Sequence, residues 1–160
     1  MDLILLFDEC LGNFEGCLVV EADVDTKALD GTRDLLFIEI HEVTQDEIDE
    51  FNESSDEEDQ IDDIDESFFV LSISRGHLNY NHTVVERRCF RIRIAEYLTF
   101  ESAFNEVKFV LKDFLEHYDL NSTSSQVSTR CDDEYEECHN AITHLVEQVT
   151  ESQKIGKTEG

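Results

Sequence analysis

Positive charge is what this sequence has least of. Twelve Lys and Arg face 39 Asp and Glu, a formal charge of -27 at pH 7. That balance argues against direct binding to nucleic acid or to an anionic membrane, since both need a cationic surface. Long apolar runs are missing too, and nothing approaches the ~20 residues that span a bilayer. The stretch LILLF follows Asp2, where a secretion signal wants positive charge, so no signal peptide is expected. The five cysteines (Cys10, Cys17, Cys89, Cys131 and Cys138) are an odd number, which fits free thiols in a reducing compartment. The reading is a cytoplasmic protein, nuclear if its host is eukaryotic. The sequons at Asn52, Asn81 and Asn121 are then chance matches.

The motifs of catalysis are also lacking. There is no phosphate-binding glycine loop, no HExxH and no nucleophile elbow. Cys131, Cys138, His139 and His144 are zinc-type residues, but no Cys-x2-Cys pair or helical His-x3-His spacing joins them. The acidic run DQIDDIDE lacks the glycine and the spacing of a calcium loop. Glu106-Val107-Lys108 resembles the end of a metal-nuclease motif but falls in mid-helix. No metal, no cofactor and no enzymatic activity are expected.

What is present is enough for one domain. A chain of 160 residues with 11 Phe and 40% apolar residues has the material for a core. Abundant Phe, Ile and Leu also set it apart from a halophile's surface, which adds acids while shedding large apolar side chains. Residues 3–7 and 17–20 read as strands around a Gly12-Asn13 turn. Asp30-Gly31 marks another turn, before a strand over DLLFIEIHEV. There Leu36, Ile38 and Ile40 share one face, and Phe37, Glu39 and His41 share a mostly polar one. Thr44 and Glu47 form a capping box for a short helix over about 45–52. Residues 67–74 and 84–95 read as a hairpin broken by Gly76 and by 79–82. On its second strand Phe90, Ile92 and Ile94 face the core, while Arg91 and Arg93 form a basic face.

Thr99 caps the strongest helix, with Phe100, Ala103, Phe104, Val107, Val110, Leu111, Phe114, Leu115 and Tyr118 in one stripe. Residues 121–129 read as a flexible polar linker. A last helix follows over 130–151, with Asp132, Asp133 and Glu134 at its N-terminus, and residues 152–160 as a frayed tail. Its seam of Tyr135, Cys138, Ile142, Leu145 and Val149 has the 3-4-3-4 spacing of a helix-pairing surface. Such a seam either packs on its own domain or forms a homodimer. The expected fold is α+β. An antiparallel sheet of about five strands in residues 1–120 is packed by the amphipathic helix, with an acidic insert at 42–66.

The insert is the informative feature. No Lys or Arg lies between Arg33 and Arg75, and residues 42–66 hold 14 carboxylates. Like charges this close cost a few tenths of a kcal/mol per neighbouring pair in a helix, so folding stability does not favour them. As one helix the segment would run ~38 Å, with a charge about every 2.7 Å. Duplex DNA presents one per ~1.7 Å. The plainer reading is a solvated loop. Against it stands the apolar punctuation, since Ile48, Phe51, Ile61, Ile64 and Phe68 are placed to anchor the segment on a core. Ser54 and Ser55 each have a Glu three residues on, as acid-directed kinases prefer.

These observations favour a non-catalytic acidic binding protein that acts as a nucleic-acid mimic. It would occupy the basic groove of a nucleic-acid-binding protein, as a viral or mobile-element inhibitor of a host nuclease or defence complex would. Its contact residues would be Asp46, Glu47, Asp49, Glu50, Glu53, Asp56, Glu57, Glu58, Asp59, Asp62, Asp63, Asp65 and Glu66. The alternative is an acidic adaptor or chaperone that shields a basic partner. Asp132, Asp133, Glu134 and Glu136 are expected to lie apart from this surface.

Overall fold

The computed structural model describes residues 16–26, 32–60, 62–63, 66–81, 84–118, 120–121 and 125–159. Within these ranges the side chains at 59, 79–81, 84–93 and 155–159 are outside the description. The expected strand at 3–7, the Gly12-Asn13 turn and the Asp30-Gly31 turn all fall outside the described residues.

Strands β1 (Leu18–Asp25), β2 (Arg33–Val43), β3 (Phe68–Asn81), β4 (Val84–Tyr97) and β5 (Gln126–Cys131) form one antiparallel sheet. Its order is β4-β3-β2-β1-β5. Helix α1 (Gln45–Glu53) lies between β2 and β3, α2 (Phe100–Glu116) between β4 and β5, and α3 (Glu137–Glu159) at the end. The fold is α+β. Thr44 caps α1 by accepting the Glu47 amide, and Thr99 caps α2 by accepting the Ser102 amide.

One face of the sheet carries the core. Leu18, Val20, Ala22 and Val24 lie beside Leu36, Ile38 and Ile40 and then Phe69, Leu71 and Ile73, all buried. Ala103, Val107, Leu111, Phe114 and Leu115 of α2 close over them, joined by Cys138, Ile142 and Val149 of α3. The other face is not the polar one that alternation suggests. Leu35 and Phe37 are buried there with Val19 and Leu78, and so are Glu21 and Ser74. Leu35 to Ile40 is nearly a continuous apolar run, the pattern of a strand buried on both sides.

Further expectations are corrected. The pairing passes from Ile73–Arg93 to Ser74–Arg91, so one extra β4 residue sits in a bulge. The bulge reverses the alternation. Ala95 and Tyr97 pair with Leu71 and Phe69, while Ile94 pairs with Ser72 and is 56% exposed. Gly76 stays inside β3, and the expected basic face of Arg91 and Arg93 falls on side chains outside the described residues. The expected linker contributes an edge strand, since 126–131 pair with β1 from Asp23–Gln126 to Leu18–Cys131. The expected frayed tail is helical to Glu159.

The α3 seam is filled within the chain. Cys138, Ile142 and Val149 are buried, and Tyr135 and Leu145 pack against the same core half-buried. The thinness of the seam reflects a helix that shares one sheet face with α2. Gln153 fastens the two helices by donating to the Tyr118 carbonyl at 2.8 Å.

Candidate functional site

The acidic insert is folded back on itself instead of forming one rod. Nine residues of α1 end at Ser54, whose amide and hydroxyl both reach the Phe51 carbonyl. A 3-10 turn over Glu57–Asp59 reverses the chain. Gln60 donates to the Asn52 carbonyl at 3.3 Å. Gln45 donates to Asp49 at 2.9 Å and to Asp63 at 3.0 Å, tying the start of the insert to its return. A straight 38 Å line of charge is therefore corrected to a compact knob. Within α1 the density survives: five carboxylates (Asp46, Glu47, Asp49, Glu50 and Glu53) over about 13.5 Å give one per about 2.7 Å.

Those five are exposed, as are Asp56, Glu57, Glu58, Asp62, Asp63 and Glu66. The side chain of Asp59 and the whole of Asp65 lie outside the described residues. Of the expected anchors, Ile48 is the buried residue of α1, 2% exposed. Phe51 is not an anchor: it is 46% exposed on the acidic surface. Phe68 is half-buried, and Ile61 and Ile64 lie outside the described residues.

The sheet brings a second acidic segment to the same end. Because Leu18 pairs with both Ile40 and Cys131, the start of β1, the exit of β2 and the exit of β5 lie side by side. The Asp132 amide donates to the Cys17 carbonyl at 3.0 Å. One groove is then lined by Gly16, Cys17, His41, Glu42, Thr44, Glu47 and Asp132. Gly16 permits this closeness, for a Cβ there would collide with the Ile40 carbonyl and the Glu39 side chain. Asp132, Asp133, Glu134, Glu136 and Glu137 are exposed beside it. The 3-10 turn over Asp133–Tyr135 is pinned by Tyr135, whose ring stacks on Phe100 with centroids 3.9 Å apart.

The expectation that Asp132 to Glu136 lie apart from the insert is thus corrected. The missing signal was β5. Read as a linker, 126–129 gives the acids after it no fixed position. Paired to β1, it delivers them to the insert.

Electrostatics records this convergence. Burial, with Asp132, Glu42 and Glu134 adding negative charge, pushes the Cys17 thiol up to about 12. Burial and then Glu134, with Cys17, Glu42 and Asp132, do the same to the Tyr135 phenol, also to about 12. Burial raises Cys131 and Cys138 as well. Thiols held protonated in this way are poor nucleophiles and poor metal ligands. His139 and His144 are exposed, and no group of three or more His, Cys, Asp or Glu is placed to hold a metal among the described residues.

Two basic side chains near this end are engaged. His41 Nε2 lies 2.8 Å from Glu47, and Arg130 lies 3.6 Å from the buried Glu21 carboxylate. Arg33 starts β2 at the opposite end, about 33 Å from Val43 by strand rise, and pairs with Asp23 at 2.5 Å. The arrangement can accept hydrogen bonds and attract cations. Among the described residues no helix is long and apolar enough to cross a membrane. In comparisons with protein-family models, curated proteins and solved structures, nothing matches the chain.

Proposed function

We propose that this chain is a non-catalytic acidic binding protein whose end face occupies the nucleic-acid groove of a basic partner. The observation that carries the reading is that Glu42 and Glu47 of the insert share one groove with Asp132, while most described carboxylates of both segments are exposed. Carboxylates gathered at this density repel one another, so a partner that neutralises them relieves a cost already present in the free protein. The helical spacing along α1 approaches that of a phosphate backbone, and the attraction weakens with salt. A viral or mobile-element inhibitor of a host nuclease or defence complex would work in this way.

One observation favours the second reading, an acidic adaptor that shields a basic protein. The carboxylates cover a compact knob, and a shield needs no linear order of charges. Competition separates the two. Partners are captured on the immobilised chain at low salt, and duplex DNA and RNA are then added. Displacement by either nucleic acid supports the mimic. A partner that binds chain and nucleic acid together rules it out and leaves the shield.

A further inference from the structure

A cleft of about 590 Å³ opens where the acidic insert rejoins the sheet and β4 leaves it. It is lined by Glu66, Phe68, Glu96, Tyr97 and Leu98. Leu98 is 86% exposed, more than any other large apolar side chain among the described residues. The fold gives no reason for it: Leu98 lies in the short connection from β4 to α2, where the cap is made by Thr99. Phe68 and Tyr97 line it half-buried, Tyr97 packing against the core as well. Glu66 and Glu96 are exposed, and no described cation pairs with either.

Two carboxylates beside an aromatic ring and an aliphatic side chain match one protein group closely. An arginine has a planar guanidinium that engages carboxylates through paired N–H donors and stacks on aromatic faces. Its three-carbon stem covers apolar surface while the charge stays wet. A lysine offers the charge without the plane. A neutral apolar side chain would leave both carboxylates partly desolvated and unpaired.

We infer that this cleft takes an arginine side chain of the basic partner, with the guanidinium at Glu66 and Glu96 and the stem over Leu98. The inference rests on the acidic end face being the docking surface. It adds a point of specificity that charge alone does not supply, since apolar and aromatic contacts persist at salt concentrations that screen distant charges.

The test is a nitrogen-15 NMR titration of the full chain at about 0.15 M salt, where the Debye length is about 8 Å. The probes are the acetylated, amidated peptide Gly-Arg-Gly-Arg-Gly and its lysine counterpart. The arginine peptide should shift the amides of 66–68 and 96–98 most, and bind about threefold more tightly than the lysine peptide. Leu98→Ser leaves the charge unchanged and removes only an exposed side chain, so the fold is not at risk. It should weaken arginine-peptide binding about fivefold. Glu66→Gln with Glu96→Gln should weaken it about tenfold, although most of the acidic residues remain.

Equal affinity for the two peptides would overturn the arginine assignment. Shifts confined to 46–63 and 132–137, with Leu98→Ser without effect, would overturn the cleft and leave the acidic face standing. No shift anywhere would remove both.

Discussion

The Asp132 amide donates to the Cys17 carbonyl at 3.0 Å, just beyond the last β1–β5 pair, Leu18–Cys131. This bond continues the ladder past the end of β5. It sets Asp132 in one groove with Glu42 and Glu47, so two segments that are distant in sequence meet there. The meeting of the two acidic segments depends on β5 being a strand.

The first prediction therefore concerns β5. Edge pairing to β1 should protect the alternate amides of 126–131 that point at β1. Hydrogen exchange should find them slowed well beyond random-coil rates, while those facing away exchange freely. Uniformly fast exchange across 126–131 would mean that the segment is a linker and that the second acidic cluster is not held in place.

The second concerns α3. Ile142 is 1% exposed against the sheet and α2. Ile142→Ala should cost about 2–4 kcal/mol, the range for a large-to-small change in a packed core. Because the seam is filled within the chain, the loss should be independent of protein concentration. A melting temperature that climbs with concentration, and loses that dependence in Ile142→Ala, would show the seam to be an interface between copies. A chain ended after Leu120 lacks both β5 and α3 and should not fold.

The third is a pH profile. Tyr118 donates to Asp34 Oδ2 at 2.5 Å and accepts from Arg75 at 3.3 Å, clamping the end of α2 to β2 and β3. Burial and then the bond to Asp34 push its phenol up to about 12 from 10.0. Cys17 rises to about 12 from 9.0, and Tyr135 to about 12 from 10.0. All three bind their protons more tightly folded than unfolded. Their contribution is complete below about pH 9 and is lost as pH rises from 9 through 12. Denaturant midpoints should fall steeply over that window, and less steeply in Tyr118→Phe and Cys17→Ala. A midpoint constant from pH 9 to 12 would contradict the burial of these groups.

The sequence made the core legible wherever one period dominated. The stripe on α2 and the Thr44 and Thr99 caps were plain because local chemistry alone specifies them. Register and face were hidden wherever the specification is not local. Alternation alone puts Ile94 in the core, because a bulge is invisible until the partner strand is known. Period two puts Phe37 on a polar face, although the run around it marks a strand buried on both sides. The exposure of the insert's acids followed from their composition. Their union with 132–137 did not, because it is made by a polar strand, QVSTRC, whose pattern signals a linker as readily as an edge.

The central claim is that both acidic segments act as one docking surface. It is tested most directly by partner affinity and its salt dependence in three neutralised variants. The first carries Glu57, Glu58, Asp59, Asp62 and Asp63 as Gln or Asn. The second changes Asp132, Asp133, Glu134 and Glu136 in the same way. The third changes Asp113, Glu116, Glu147 and Glu151, which are exposed on the two long helices away from that face. The first two should each weaken binding about tenfold and flatten its salt dependence, with melting temperature held or slightly raised as repulsion is relieved. The third should change affinity by no more than about twofold. Equal losses in all three would show that net charge alone matters, and unchanged binding in the first would show that the insert is no more than a solvated loop.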